Sequence, residues 1–204
     1  MPNILVVQSS PKDEHSHSRA LVHHYVAAWS AANPEGTVTP REAAGQAIPH
    51  LDGPLVQAFF TPPDDLSPEQ RERTSLSDAL IDEFEAADEL VFGVAMHNFG
   101  VPSSLKAYVD HIVRVGRTFR YTEAGVEGLV RDRKVTVVVA SGNRYDQHPF
   151  AAFNHADTWL TTILGFLGVR SVAVIRAGGL ALGDEARDGA LAAAKQALEA
   201  RVAH

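Results

Sequence analysis

The sequence predicts an α/β protein with a doubly wound, five-stranded parallel sheet and helices on both faces. Three observations carry the prediction. Apolar, β-branched runs of strand length recur along the chain, segments with helical apolar spacing lie between them, and the two kinds alternate from end to end. Right-handed crossovers between parallel strands then place helices on either side of the sheet.

The elements follow in order. The first strand is the run Ile4-Leu5-Val6-Val7. Leu21, Val22, Tyr25, Val26 and Trp29 recur at helical spacing and give an amphipathic helix over 18–31. Residues 38–41 form the least apolar strand and read as a sheet edge. Ser67, Pro68 and Gln70 spell a capping box with proline at the first helical position, and the helix turns Leu76, Leu80, Ile81 and Phe84 inward. The Pro/Asp stretch 61–65 before it is a loop too short to link domains. The third strand, 89–95, leads to a helix marked by Leu105, Tyr108, Val109, Ile112 and Val113 and ended by Gly116. A fourth strand at 135–140, a helix over 150–166, a fifth strand at 171–176 and an alanine-rich helix over 184–202 complete the series. Nearly continuous apolar strands are those covered on both faces. Five strands in all favour the order 2-1-3-4-5.

The bulk composition agrees. The chain has 204 residues, 45% hydrophobic and 21% charged, which suits one domain spanning 1–204. A net charge of −7 argues against nucleic acid or an acidic membrane surface as main partner. Without cysteine there is no disulfide, thiolate catalysis or Cys-ligated metal. His15, His17, His23 and His24 cluster, but neither HExxH nor a carboxylate-bracketed pair is present, so no metal is expected. No run approaches the length of a membrane span, and the simplest reading is a soluble cytoplasmic protein.

Ligands of such sheets bind beyond the carboxyl ends of the strands, at the switch between the first and third. Three loops converge there: 9–18, 96–104 and 140–148. The first is rich in serine and free of glycine. A helix N-terminus presents unpaired N–H groups, to which Ser16 and Ser18 add hydroxyls, a combination suited to a single phosphate. Ser16 acting only as an N-cap is the alternative. In the second loop Asn98, Gly100 and Pro102 are turn formers. Successive backbone N–H groups of this loop can point at one edge of a planar ligand, with Met96 and Phe99 as apolar walls, unless Phe99 belongs to the core and Asn98 to an ordinary turn. In the third loop Gly142 and Asn143 form either a nest of N–H donors or an ordinary turn. No Ser/His/Asp set or carboxylate pair can be placed at this crevice, which suggests a cofactor that carries the chemistry.

With its loops placed, the chain resembles the FMN-dependent NADH azoreductase and quinone reductase family, within the flavodoxin-like fold. The resemblance rests on Ser10 and Ser16-His17-Ser18, then Met96-His97-Asn98-Phe99 and Leu105-Lys106-Ala107-Tyr108. It continues through Phe119-Arg120-Tyr121-Thr122-Glu123, Glu127-Gly128-Leu129 and Leu164-Gly165-Phe166, in order over almost the whole chain. It implies that Ser10, Ser16, His17 and Ser18 hold the FMN phosphate and that Met96, His97, Asn98 and Phe99 cradle the isoalloxazine. Ala140, Ser141, Gly142 and Asn143 complete the site by backbone contacts, where relatives often read Ser-Arg-Gly-Gly. Position 97, commonly tyrosine in the family, is histidine here and is a candidate proton donor.

The resemblance further implies tightly bound FMN and NADH or NADPH as donor, with two-electron ping-pong reduction of quinones or azo compounds. It implies a homodimer with its active sites at the subunit interface. Tyr121, Phe166 and Phe60 are candidate walls of the acceptor pocket, with core packing as the other reading of each. An electron carrier of the flavodoxin type is the rival function, although its Thr-x-Thr-Gly-x-Thr phosphate loop is absent. A phosphate-sensing module without redox activity is a second.

Overall fold

The computed structural model describes residues 1–12, 14–45 and 48–203. In chain order the elements are β1 (Asn3–Gln8), α1 (His17–Ala32), β2 (Thr37–Glu42), α2 (Gly53–Phe59), α3 (Pro68–Ala86), β3 (Glu89–Ala95), α4 (Ser103–Ile112), β4 (Phe119–Thr122), β5 (Gly125–Gly128), β6 (Lys134–Ala140), α5 (Ala156–Leu167), β7 (Val172–Ala177) and α6 (Asp184–Val202). Five strands pair in parallel in the order β2-β1-β3-β6-β7. Counted along the chain without the β4–β5 hairpin, this is the expected 2-1-3-4-5, with 38–41 at an edge as its polarity requires.

Side chains alternate between the two faces of each strand. Ile4, Val6, Val91 and Val138 pack under Leu21, Val22, Tyr25 and Trp29 of α1 and Ala194 and Leu198 of α6. Their neighbours Leu5, Val7, Leu90, Phe92, Val94, Val135, Val137 and Val139 face α3, α4 and α5 through Leu80, Ile81, Phe84, Leu105, Tyr108, Ile112, Leu160 and Leu164. Each such side chain contributes about 1.5–3 kcal/mol on burial, so the two clusters dominate folding.

Several polar groups join the elements of this frame, although Gln8 of β1 and the Tyr108 hydroxyl of α4 are buried without a hydrogen-bond partner among the described residues. The capping box of α3 forms as expected: Gln70 N–H donates to Ser67 Oγ at 3.2 Å and Ser67 N–H to Gln70 Oε1 at 2.9 Å. Its far end is closed by Arg133, whose Nη1 donates to the carbonyls of Phe84, Glu85 and Ala87 at 2.8, 3.1 and 2.6 Å. A cation at a helix C-terminus meets both the orphan carbonyls and the negative dipole end. On the opposite face, Tyr25 donates to Glu89, Trp29 Nε1 donates to the same carboxylate at 3.1 Å, and Thr136 donates to the Tyr25 hydroxyl at 3.3 Å. Burial, then the Glu89 contact, pushes the Tyr25 phenol well above its usual range.

Four features depart from the sequence reading. Helix α4 closes at Ile112 with Val113 as its C-cap, short of the expected Gly116. Helix α2 is new; Asp52 caps it by accepting Leu55 N–H at 2.8 Å, with Pro54 in the first turn. The expected helix over 150–166 is a 3₁₀ turn at Phe150–Phe153 followed by α5, because Asn154 ends the first and its Oδ1 accepts Ala156 N–H at 3.3 Å at the start of the second. The hairpin β4–β5 was also unforeseen, and it docks on the end of α5. Val130 N–H donates to Leu167 O at 3.0 Å. A Cβ on Gly128 would stand 2.2 Å from the Leu167 carbonyl carbon, so only glycine admits this approach.

Two outcomes are expected. Arg133→Met should lower unfolding free energy by about 3 kcal/mol, since several charge-assisted bonds are lost and the carbonyls of Phe84 and Glu85 lose their side-chain donor, Ala87 O keeping Arg131; urea titration measures it, and Arg133→Lys should recover only part. Gly128→Ala should cost about 1–3 kcal/mol by overpacking and open 119–130 to limited proteolysis before the sheet unfolds.

Candidate functional site

The loop after β1 enters α1 through a real cap. Ser16 Oγ accepts Arg19 N–H at 3.3 Å and lies 3.1 Å from Ser18 Oγ. The capping alternative therefore holds for Ser16, and it is compatible with an anion site. Helix geometry leaves the N–H groups of His17 and Ser18, the first two of α1, outside the helical ladder. Ser10, 2% exposed, accepts Lys12 N–H on its Oγ at 3.3 Å, while Ser9 is tied to the sheet through Gly93 O at 2.7 Å.

The loop after β3 is a tight reversal. His97 N–H donates to Gly100 O at 3.0 Å and Gly100 N–H donates back to His97 O at 2.9 Å. The two central residues, Asn98 and Phe99, have φ of 47° and 69°. Positive φ at both positions is the type I′ geometry, easy for asparagine and strained for phenylalanine. Phe99 is 43% exposed, so it is no core residue. Its ring packs against Tyr145 and Phe153, with centroids 5.7 and 5.2 Å away, and its carbonyl accepts His155 N–H at 2.9 Å. These contacts hold the strained turn, whose own bonds leave the N–H groups of Asn98 and Phe99 unused.

The loop after β6 is pinned from the side by the segment after β7. Ser141 N–H donates to Ala177 O, Leu180 N–H to Ser141 O and Ala181 N–H to Gly142 O, at 3.0, 3.1 and 2.9 Å. Ser141 Oγ donates to Asn143 O at 2.8 Å, which fixes the turn at Gly142.

Two adjoining cavities, of about 230 and 220 Å³, share Met96, Ser141 and Gly142. The first runs from Ser10, Ser16, His17 and Ser18 to His97 and Ala140, and the second lies against Asn98, Phe99 and Tyr145. The fold thus brings three separate loops to one crevice. Asn143 does not border it and acts through its carbonyl on Ser141. Tyr121, Phe166 and Phe60 do not border it either. Tyr121 and Phe166 flank Phe119 at 5.5 and 4.8 Å, away from the crevice, and Phe60 ends α2 with 65% exposure. Lys12, His15, Ala95, Leu180 and Ala181 line the first cavity and Tyr145 the second, and all escaped the sequence reading. Lys12 and His15 lie within the serine loop and Tyr145 within the loop 140–148, so their place in those loops was a usable signal. Leu180 and Ala181 are brought in by tertiary contact alone.

The donor set fits a phosphate at one end, where helix N–H groups, hydroxyls and Lys12 meet. It fits a flat ring at the other, between Met96, Phe99 and Tyr145. No helix among the described residues is long and apolar enough to cross a membrane, and no metal-ligating cluster occurs among them.

The family described as flavodoxin-like fold matches residues 2–202. FMN-dependent NADH:quinone oxidoreductase 2 of Trichormus variabilis is 43% identical over 206 residues, covering 100% of each chain. The FMN-dependent NADH:quinone oxidoreductase of Acidobacterium capsulatum is 46% identical over 180 residues, covering 88% of this chain and 87% of that one. The solved structure of an FMN-dependent NADH-azoreductase from Bacillus anthracis in complex with FMN superposes with a TM-score of 0.87 at 26% identity, covering 98% and 99% of the two chains. With both the fold and this identity over the full length, the chain belongs to the flavodoxin-like family whose members include the FMN-dependent NADH:quinone oxidoreductases.

Proposed function

We propose that the protein is an FMN-dependent oxidoreductase that takes electrons from NADH or NADPH and reduces quinones or azo compounds. The observation that carries this reading is the single crevice with phosphate-type donors at one end and a flat, apolar-walled slot at the other. Bound FMN supplies the two-electron redox chemistry that no side chain here can perform.

The chain's part is binding, orientation and charge. Ser10, Ser16, Ser18 and the N–H groups of His17 and Ser18 hold the phosphate at the positive end of α1. The unused N–H groups of Asn98 and Phe99 orient one edge of the ring system. Donors around Gly142, held in place by Ser141 and by the segment after β7, would help hold the ring system and favour negative charge on it. Met96 and Phe99 keep water from the ring. His97 is exposed at the turn and is placed to give a proton to an acceptor at the crevice mouth.

We also propose a homodimer. Tyr121, Val126 and Phe166 are 66%, 47% and 37% exposed and form one apolar surface with Phe119, which a second copy would cover while closing the acceptor pocket. Phe60 belongs to a separate exposed corner, at the end of α2.

The purified protein should be yellow, and quinone reduction with varied NADH should give parallel double-reciprocal lines. Bound flavin that receives no electrons from a nicotinamide nucleotide would instead favour a single-electron carrier. Light scattering should give about twice the 22.0 kDa chain mass, as two-fold oligomers are the commonest. Phe166→Asp should shift it toward monomer and depress quinone reduction more than flavin retention.

A further inference from the structure

Between the sheet edge and the β1–α1 loop lies an ion pair that the reaction does not use. Arg19 sits in the first turn of α1, with its side chain 14% exposed, and pairs with Glu42 at the end of β2. The same guanidinium donates through Nε to Lys12 O at 3.0 Å and through Nη2 to Ser10 O at 2.9 Å. Glu42 is itself fixed, since its Oε1 accepts Ala44 N–H at 3.0 Å and it stands in register with Gln8 of β1. Arg19 does not line the cavity, whereas Ser10 and Lys12 do.

We propose that Arg19, anchored by Glu42, is a positioning residue that shapes the loop for phosphate and delivers Lys12 as the facing cation. The inference rests on the FMN reading of the crevice and goes beyond it. A phosphate dianion is repelled by carbonyl oxygens. The guanidinium draws those of Ser10 and Lys12 onto itself, outside the cavity. Its planar fork satisfies two carbonyls and a carboxylate at once, which a single ammonium cannot do with the same geometry. The glycine-rich phosphate loops of other folds set their shape by backbone freedom. This loop, free of glycine, has its shape imposed by a side chain from the helix that follows it.

The test measures FMN and riboflavin affinities of the full-length chain after flavin removal, by flavin fluorescence, for wild type, Arg19→Met, Arg19→Lys, Glu42→Gln and Lys12→Met. Arg19→Met should weaken FMN by about tenfold or more, the scale of one charge-assisted contact, with riboflavin changed far less. Arg19→Lys should restore little, and Glu42→Gln should fall between wild type and Arg19→Met. Lys12→Met should weaken FMN selectively and flatten its dependence on salt, because one charge pair with the phosphate is lost. Thermal melts of the flavin-free chains register any general loss of fold; if Arg19→Met does not fold, Glu42→Gln and Lys12→Met decide the question. Unchanged FMN affinity in Arg19→Met and Glu42→Gln, or equal loss of FMN and riboflavin, would overturn the proposal. A wild-type chain that binds neither flavin would overturn the cofactor reading itself.

Discussion

The structure depends on one constraint, that a parallel sheet must be covered on both faces. Strands β1, β3 and β6 are almost wholly buried, with helices above and below, so no polar ligand can approach them sideways. Loops can leave only at the two ends, and every right-handed crossover starts from the carboxyl end. The order β2-β1-β3-β6-β7 reverses direction between β1 and β3. The loops after these strands therefore part and leave a crevice, which the loop after β6 closes from the far side. The apolar core thus determines where the polar site can be.

Within that frame, buried charges specify arrangement more than they stabilise. Glu89 joins the first residue of β3 to Tyr25 and Trp29 of α1, and Lys134 stands 3.8 Å away at the start of β6. Asp157, 1% exposed, pairs with Arg176 and ties α5 to β7. Each carboxylate links a helix to a strand at one register, and a slipped helix would strip it of those partners. The Arg19–Glu42 pair does the same at the crevice, where the element positioned is a loop.

The strained turn at Asn98 and Phe99 shows the opposite balance. Left-handed backbone at phenylalanine costs about 1–2 kcal/mol, and the aromatic contacts with Tyr145 and Phe153 and the bond from His155 offset it. Those three residues come from the loop after β6 and the entry to α5. The geometry of one loop in the crevice is therefore maintained by another, and the ring slot is a property of the assembled sheet edge.

By itself, the sequence determined the five sheet strands, their order, the α3 capping box and the three loops that meet, because apolar period and capping chemistry are local signals. The serine loop was legible from its place before a helix N-terminus, whereas the Met96–Phe99 turn and the glycine after β6 read locally as ordinary turns and took their meaning from the family resemblance. The short elements were not. Helix α2 spans seven residues, and β4 and β5 four each, too few to show a period; the hairpin owes its place to the bare Cα of Gly128 against Leu167. That Arg19 bends the first loop, that Leu180 and Ala181 enter the crevice, and that Tyr121 and Phe166 lie outside it were decided only by tertiary structure. Those contacts join residues far apart in the chain or turn on side-chain direction, and no spacing rule along the sequence encodes either.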